Sequence, residues 1–364
     1  MICSSSPSIV TDAIITAALA DNAIVAFSVS GGTDSAAAAL ATNMYLDAIG
    51  HDRARRIVIH ADLGCIEWET TPGHVEALAA SAGLELVVVR RRAGDLIARW
   101  EQRFASGKDR YEALTTYGLV GPWSSRALRF CTSELKTHVI TAELRRRFPG
   151  KTVLSVVGLR RDESRSRAMT PISRPHDAAA RSTSAPRLIN WNPIAPWSEA
   201  QVYAWHAEQR VPLHEAYTKW NASRMGCSFC VLASLHNLET STAVPGNRAA
   251  FNLLVDLEIA SHFSFQPSRW LADVAPALVG ARRRAQLAQA KASAARRRQL
   301  ETCLPEGLRF QRGWSPRIPT RIEAATIAAV RAEILAQHAL PNHFPRVADV
   351  IDRFAALHAA RAPA

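Results

Sequence analysis

Apolar residues in the first part of the chain occur in short runs that alternate with longer alanine-rich or amphipathic stretches. The run at 24–29 predicts a strand, and the alanine-rich stretch at 34–49 predicts a helix. The alternation continues with candidate strands at 56–61, 84–89 and 152–157 and candidate helices at 70–81 and 133–148. Alternating elements of this kind predict an α/β fold with a doubly wound, mostly parallel sheet.

The pattern changes after residue 168. Residues 169–188 are rich in Pro, Ser, Ala and Arg without periodicity, which predicts a mobile loop. A sheet-like segment near Trp191 follows, and then a helix with Ser198 as its N-cap. Beyond the α/β part the chain is helical in character, so we predict one domain over 1–215 and a helical C-terminal region over 216–364.

Length and composition narrow the class of protein. The chain has 364 residues, of which 48% are hydrophobic, and this is enough for a large core without disulfide bonds. It contains no apolar run of about 18 residues, and its N-terminal apolar stretch lacks a basic lead segment. We therefore expect a cytoplasmic protein that does not enter a membrane.

The net charge of +12 favours polyanionic partners. Two arginine clusters, at 282–284 and 296–298, are 14 residues apart, which is nearly four helical turns and predicts one basic face. Nucleic acid is therefore a candidate partner. A solvated helix face in an arginine-rich protein explains the same residues without a ligand.

The segment between the first strand and the first long helix has the composition of a phosphate-binding loop. Glycines allow the backbone to approach a phosphate closely, hydroxyl groups donate hydrogen bonds, and the helix that follows adds its positive end. The residues concerned are Ser28, Ser30, Gly31, Gly32, Thr33, Asp34 and Ser35. The spacing excludes a Walker loop.

This segment resembles the Ser-Gly-Gly-x-Asp-Ser signature of the PP-loop superfamily, and the order of the motifs that follow resembles its PAPS reductase family over about 23–233. The resemblance implies a PP-loop nucleotide-binding domain over 1–215 that binds an adenine nucleotide, either ATP or a phosphoadenylyl or adenylyl sulfate. Thr33 stands where members close to PAPS reductases usually have lysine, which removes one cation from the phosphate grip.

Three downstream motifs carry further expected site residues. The first places Asp62 at the ligand edge of the sheet, and the second places Lys136 on a helix after a cysteine. The third resembles the family element Gly-x-Arg-x-x-Glu-Ser-x-x-Arg and contains Gly158, Arg160, Glu163 and Arg167. By resemblance, Lys136, Arg160 and Arg167 stabilise charge on the leaving phosphate or sulfate, and Asp34 caps the helix or holds Mg²⁺ through water.

The cysteines suggest metal or redox chemistry. In iron-sulfur members of the family, an adjacent cysteine pair and a distant Cys-x-x-Cys bind a [4Fe-4S] cluster. The matching residues here are Cys131, Cys227 and Cys230, with Thr132 in place of the second adjacent cysteine and Cys303 as a candidate fourth ligand. A zinc site and reduced buried thiols remain as alternatives.

Three functions are compatible with these motifs. The first is ATP-dependent sulfur transfer to nucleic acid, as in DNA phosphorothioation or tRNA thiolation, with a sulfur donor such as a cysteine desulfurase. The second is reduction of phosphoadenylyl or adenylyl sulfate to sulfite with thioredoxin as the reductant, although the usual C-terminal Glu-Cys-Gly-Leu-His tail is missing. The third is a nucleotide-binding subunit without turnover.

Overall fold

The computed structural model describes residues 7–176, 187–310 and 315–361. The chain forms two compact units: unit 1 comprises Met1–Leu96 and Arg126–Ala250, and unit 2 comprises Ile97–Ser125 and Phe251–Ala364. The predicted boundary after residue 215 falls inside unit 1, which also contains the Cys-x-x-Cys segment.

Unit 1 is built on a six-stranded sheet with the strand order β3-β2-β1-β4-β6-β5. The first four strands and β6 are parallel, and β5 pairs antiparallel with β6. The strands are β1 (Ile24–Val29), β2 (Arg56–Asp62), β3 (Glu85–Arg90), β4 (Thr152–Val157), β5 (Ser173–Pro175) and β6 (Arg187–Trp191). The predicted α/β class and mostly parallel sheet are confirmed.

Helices cover both faces of this sheet because side chains of a strand alternate between its faces. On β1, Val25 and Phe27 pack into the core formed with α2, α3 and α7, whereas Ile24 and Ala26 pack on the opposite face, where Leu144 of α6 lies. The helices of unit 1 are α1 (Ala13–Ala20), α2 (Thr33–Ala48), α3 (Thr71–Ala82), α5 (Phe130–Thr132), α6 (His138–Arg147), α7 (Glu199–Glu208), α8 (Glu215–Thr218) and α9 (Leu235–Ala243).

Two local predictions were wrong. The helix predicted over 133–148 starts earlier and is interrupted, because Ser133–Thr137 form a π-helical turn between α5 and α6. Within the predicted loop at 169–188, Ser173–Pro175 form an edge strand, where proline is tolerated because no ladder hydrogen bond is needed from it. The rest of that loop, 177–186, lies outside the described residues.

The part of unit 2 that the structure describes is helical. Its core contains α12 (Ala281–Thr302), α13 (Arg321–Gln337) and α14 (Val347–Arg361). The helix α11 (Leu271–Val274) also lies in unit 2, whereas α4 (Leu96–Glu112) and α10 (Arg248–Ser261) begin in unit 1 and continue into unit 2. None of the helices in the described ranges has the length and apolar character needed to cross a membrane.

Candidate functional site

A cavity of about 700 Å³ opens in unit 1 at the carboxyl ends of three neighbouring strands. Its lining includes Val29 of β1, His60 of β2 and Val157 of β4. In open parallel sheets, ligands bind in the crevice outside these strand ends, so the cavity lies where the fold favours a ligand. Tyr203 and Tyr217, whose rings are 6.4 Å apart in an edge-to-face arrangement, form part of its wall.

The loop from β1 to α2 is held in shape by Ser35. Its hydroxyl accepts a hydrogen bond from the Ser30 amide at 3.1 Å and donates one to the Gly32 carbonyl at 2.9 Å. Gly31 has φ +80°, a left-handed conformation that glycine adopts without strain. Ser35 is therefore a loop-forming residue as well as a cavity residue.

The loop ends at the N-terminus of α2, where Gly32 is the N-cap and no side chain caps the helix. The first amide groups of this 16-residue helix therefore lack a side-chain cap beside the cavity. Uncapped helix N-termini bind anions through these amides and the helix dipole. The predicted residues Ser28, Ser30, Gly32, Thr33, Asp34 and Ser35 all line the cavity.

The backbone after β4 packs directly against the start of α2. A Cβ atom on Gly158 would lie 2.4 Å from the Asp34 carbonyl oxygen, so only glycine allows this approach. His206 of α7 donates a hydrogen bond from Nε2 to the Thr33 carbonyl at 2.9 Å. The loop is thus supported from two sides, and Gly158 acts through backbone packing.

Arg160 and Arg167, both predicted to hold phosphate or sulfate, are ion-paired within unit 1. The buried Arg160 donates from Nε to Asp34 at 2.8 Å and also binds Asp162, while Arg167 binds Glu163. We call this set of residues the paired side of the cavity. Its charges compensate each other, so neither arginine is free for a ligand as the structure stands.

Burial raises the pKa of Asp34 above its usual value even though Arg160 opposes the shift. Burial thus makes the ionised form of the Asp34 carboxylate costly. Its cationic partner is Arg160. A Mg²⁺ ion held by Asp34 would compete with Arg160 for the carboxylate. The Mg²⁺ site at Asp34 stays a prediction. Glu163 also accepts a hydrogen bond from the Arg160 amide at 3.1 Å, so it orders the turn after β4.

The lining of the cavity also carries three further cations, Arg129, Lys136 and Arg224, which we call the basic rim. Among the residues that the structure describes, none of the three forms an ion pair with a carboxylate. Lys136 is half-buried and the two arginines are exposed. Sequence motifs indicated Lys136 only, although Arg129 opens the same motif and Arg224 lies three residues before Cys227.

A buried histidine, which the sequence motifs did not indicate, lies at the end of β2. His60 places Nδ1 3.0 Å from the Val29 carbonyl and Nε2 3.2 Å from the Glu67 carboxylate. A carbonyl and a carboxylate both accept, so these contacts favour a ring that donates from both nitrogens. Burial lowers the pKa of His60, but the hydrogen bond and charge of Glu67 outweigh it and raise that pKa above 6.5. When protonated, His60 therefore forms an ion pair with Glu67 beside the phosphate loop.

Asp62 ends β2 at the predicted edge of the sheet, but it is not among the residues that line the cavity. Its carboxylate accepts from the Gly64 amide at 2.7 Å and forms an ion pair with Arg90, which lowers its pKa against the effect of burial. An Asp that closes a turn in this way is typical of strand ends. Asp62 therefore shapes the turn after β2.

The cysteines do not assemble into the predicted ligand set. Within the described ranges, no three or more His, Cys, Asp or Glu side chains are grouped to hold a metal ion. Burial raises the pKa of Cys227 to about 12 against the opposing charge of Lys136, and Cys230 and Cys131 add smaller contributions to the rise. Cys303 is an exposed residue at the end of α12 in unit 2. We therefore derive no step through a cluster.

The chain has a relative among curated proteins. An uncharacterized protein of Methanocaldococcus jannaschii is 28% identical over 207 residues, covering 57% of this chain and 35% of the relative. The chain thus spans about a third of the length of that curated relative.

Two solved structures are similar at low identity. FMN adenylyltransferase of Candida glabrata, in complex with FMN and an ATP analogue, is 15% identical with a TM-score of 0.37 and covers 57% of this chain and 55% of its own. Phosphoadenylyl-sulfate reductase of Candida auris, in a phosphate complex, is 17% identical with a TM-score of 0.36. The similarity covers 59% of this chain and 86% of the reductase chain. Similarities this weak carry no further argument.

The sequence-family model for the phosphoadenosine phosphosulfate reductase domain matches residues 24–233 of this chain. This match covers more than half of the chain and includes every strand, the phosphate-binding loop and the basic rim. The chain belongs to the phosphoadenosine phosphosulfate reductase family of PP-loop proteins.

Proposed function

We propose that the cavity binds an adenine nucleotide whose phosphates lie on the loop from Ser28 to Ser35. The observation that carries this proposal is the uncapped N-terminus of α2, which faces the same cavity as the unpaired cation of Lys136. Backbone amides, hydroxyl groups and a cation are the donors that phosphate oxygens require.

The binding test is calorimetric titration of ATP into the wild-type protein and into Lys136→Met. Loss of one charge-assisted contact with phosphate costs roughly 1.5–3 kcal/mol, which is about a tenfold to hundredfold weaker affinity. The matched control is Lys151→Met, which removes the same charge from an exposed position. Equal affinities of Lys136→Met and the wild type would disprove the assigned phosphate position.

For the reaction, we favour ATP-dependent sulfur transfer to nucleic acid. An oxygen of the acceptor attacks the α-phosphorus of ATP and releases pyrophosphate, and hydrosulfide from a donor such as a cysteine desulfurase then displaces AMP. The acceptor oxygen leaves with AMP. Because a cysteine desulfurase carries sulfur as a persulfide, a dithiol reductant supplies the two electrons that release it as hydrosulfide and is itself oxidised to a disulfide. The unpaired cations of the basic rim support an anionic second substrate. The assay is release of AMP and pyrophosphate, which DNA or tRNA should stimulate.

Reduction of phosphoadenylyl or adenylyl sulfate to sulfite is the second candidate, and the family match supports it. Thiols such as those of thioredoxin would supply the two electrons and be oxidised to a disulfide. Thiol-dependent release of sulfite without ATP would select this reaction. Nucleotide binding with neither activity would identify a non-catalytic subunit.

A metal on Cys131, Cys227 and Cys230 stays a separate prediction. Anaerobic purification followed by measurement of iron, zinc and absorbance near 400 nm tests it, since thiolate-bound iron absorbs visible light. Stoichiometric iron that is lost in Cys227→Ser would support a cluster, whereas zinc or no metal would reject it. Nucleotide binding is measured in the same samples, because its outcome does not depend on the metal.

A further inference from the structure

We infer that the two arginines of the basic rim form a second anion-binding subsite, which holds backbone phosphates of a nucleic-acid strand while the loop and Lys136 hold the nucleotide. This inference rests on the proposed function and adds the residues that recognise the acceptor. Arg129 and Arg224, which are exposed lining residues, form this subsite, and half-buried Lys136 is left to the phosphates of the nucleotide.

The first argument is the unequal distribution of countercharge around the cavity. The carboxylates of Asp34, Asp162 and Glu163 all bind the arginines of the paired side, and Glu67 binds His60. The rim has no carboxylate partner in the described part of the chain. Cations that line a cavity without countercharge attract an anionic ligand.

The second argument concerns the size of the ligand. Arg129 and Arg224 are exposed, and solvent screens the attraction between an exposed arginine and a single small anion. A strand with many phosphates binds such arginines more strongly, because each neutralised phosphate releases condensed counterions. The exposed position therefore favours a polymer that extends out of the cavity. It is less suited to a second small anion inside the cavity.

The third argument is that the backbone of both arginines is anchored. The Arg129 carbonyl accepts hydrogen bonds from the amides of Thr132 and Ser133 at 2.9 and 3.2 Å. Ser223, next to Arg224, donates from its amide and its hydroxyl to Asn237 Oδ1 at 3.0 and 3.2 Å. The side chains are thus presented from ordered positions, which lowers the entropy cost of binding.

The helix α12, the basic segment first indicated by sequence, has fewer available cations than its composition suggests. Arg283 binds Asp256, Arg296 binds Glu333, and Arg297 is buried over the ring of Phe263. Arg282 and Arg284 are exposed, and neither is ion-paired in the residues described. These two arginines provide a control that removes the same charge from a different surface.

The experiment compares Arg129→Ala/Arg224→Ala with Arg282→Ala/Arg284→Ala. Binding of fluorescent 20-nucleotide single-stranded DNA and RNA is measured by anisotropy over a series of salt concentrations, and ATP binding is measured by calorimetry. We expect the rim variant to lose about tenfold or more in oligonucleotide affinity. Its slope of log K against log salt should fall by roughly 1.4, or about 0.7 for each lost phosphate contact. Its affinity for ATP should stay within about twofold, and the control variant should change little.

Three outcomes would overturn the inference. A parallel loss of ATP affinity in the rim variant would mean that the rim serves the phosphates of the nucleotide, and the proposed nucleotide site would stand. A larger loss in the control variant would move the acceptor surface to α12. If the wild type binds ATP but neither oligonucleotide at low salt, the rim inference and the proposed acceptor both fail, while nucleotide binding stands.

Discussion

The paired side and the basic rim border the same cavity, but their cations are held in different ways. Arg160 is buried and bound to two carboxylates, whereas Arg129 and Arg224 extend into solvent without a carboxylate partner in the described residues. A buried, paired arginine is costly to release, so its main effect is on the shape of the loop. An exposed, unpaired arginine costs little to redirect toward a ligand.

This difference separates two roles that similar motif residues can have. The Gly-x-Arg-x-x-Glu-Ser-x-x-Arg element orders the turn after β4 and holds Asp34 at the start of α2. The rim supplies charge that the unliganded protein does not use. We therefore expect substitutions on the paired side to lower stability and binding together, and substitutions on the rim to affect binding alone.

The largest expected effect is that of Arg160→Met. The substitution leaves the carboxylates of Asp34 and Asp162 without their cation at the start of α2. Breaking a buried pair costs roughly 3–5 kcal/mol, and we expect the lower end or less because Asp162 is partly exposed. Urea unfolding measures this change, with Arg129→Met as the control that should stay within about 0.5 kcal/mol. Equal stabilities of the two variants would remove the distinction between the sides.

The next effect is that of Gly158→Ala, which tests the packing beneath the paired side. The added methyl group would lie 2.4 Å from the Asp34 carbonyl oxygen, and overpacking of this kind costs typically about 1–3 kcal/mol. Gly73→Ala in α3 is the control, because its methyl group meets no atom within 4 Å and helix propensity favours alanine by up to about 1 kcal/mol. The two variants should therefore shift thermal unfolding in opposite directions.

The third effect is a pH dependence that comes from His60. Its pKa is raised in the folded protein, so its stabilisation is complete below pH 6.5 and is lost as pH rises through the folded pKa. Above pH 6.5 the free energy of unfolding should fall more steeply in the wild type than in His60→Gln, by at most about 1.4 kcal/mol per pH unit. Urea unfolding between pH 6 and 9 measures this slope.

Two further variants sharpen the pH test. Glu67→Gln removes the acceptor that raises the pKa of His60, so it should lose the same slope. The exposed residue His236 provides the control, since His236→Gln should retain the wild-type slope. The pKa of His214 is lowered to about 4, so its effect on the slope ends only as pH rises past about 6.5, and this effect is the same in the wild type and in every variant compared. An unchanged slope in both His60→Gln and Glu67→Gln would contradict a cationic His60.

The smallest expected effect on stability is that of the rim double variant Arg129→Ala/Arg224→Ala. Both side chains are exposed, so the free energy of unfolding should change by no more than about 0.5 kcal/mol per site. A loss of several kcal/mol in urea unfolding would show that the rim is structural.

The strands illustrate how much of the fold could be predicted. The bounds of β1 and β4 agree with the apolar runs at 24–29 and 152–157, because strands buried on both faces consist of continuous apolar residues. The edge strand β5 was missed, since three residues that include proline carry no periodic signal. The π-helical turn before α6 was missed for a related reason, because its hydrogen-bond pattern has no compositional marker.

The site was predictable to the extent that a local motif determines it. Glycines and hydroxyl groups between a strand and a helix indicate a phosphate loop, and those residues, apart from Gly31, line the cavity. Asp62 was assigned to the cavity because it ends a strand, but Arg90 and the Gly64 amide hold its carboxylate elsewhere. The pairing of His60 with Glu67 also depends on how the loop after β2 folds back.

By itself, the amino-acid sequence determined the α/β class, the family and the location of the phosphate loop, because these depend on residue patterns that are local in the chain. Only the tertiary structure decided which cations are available, since Asp34 and Arg160 are 126 residues apart and meet through the packing of β4 against α2. Countercharge is a property of neighbours in space. It separates Arg160 from Arg129 and Arg224, although all three are arginines close to family motifs.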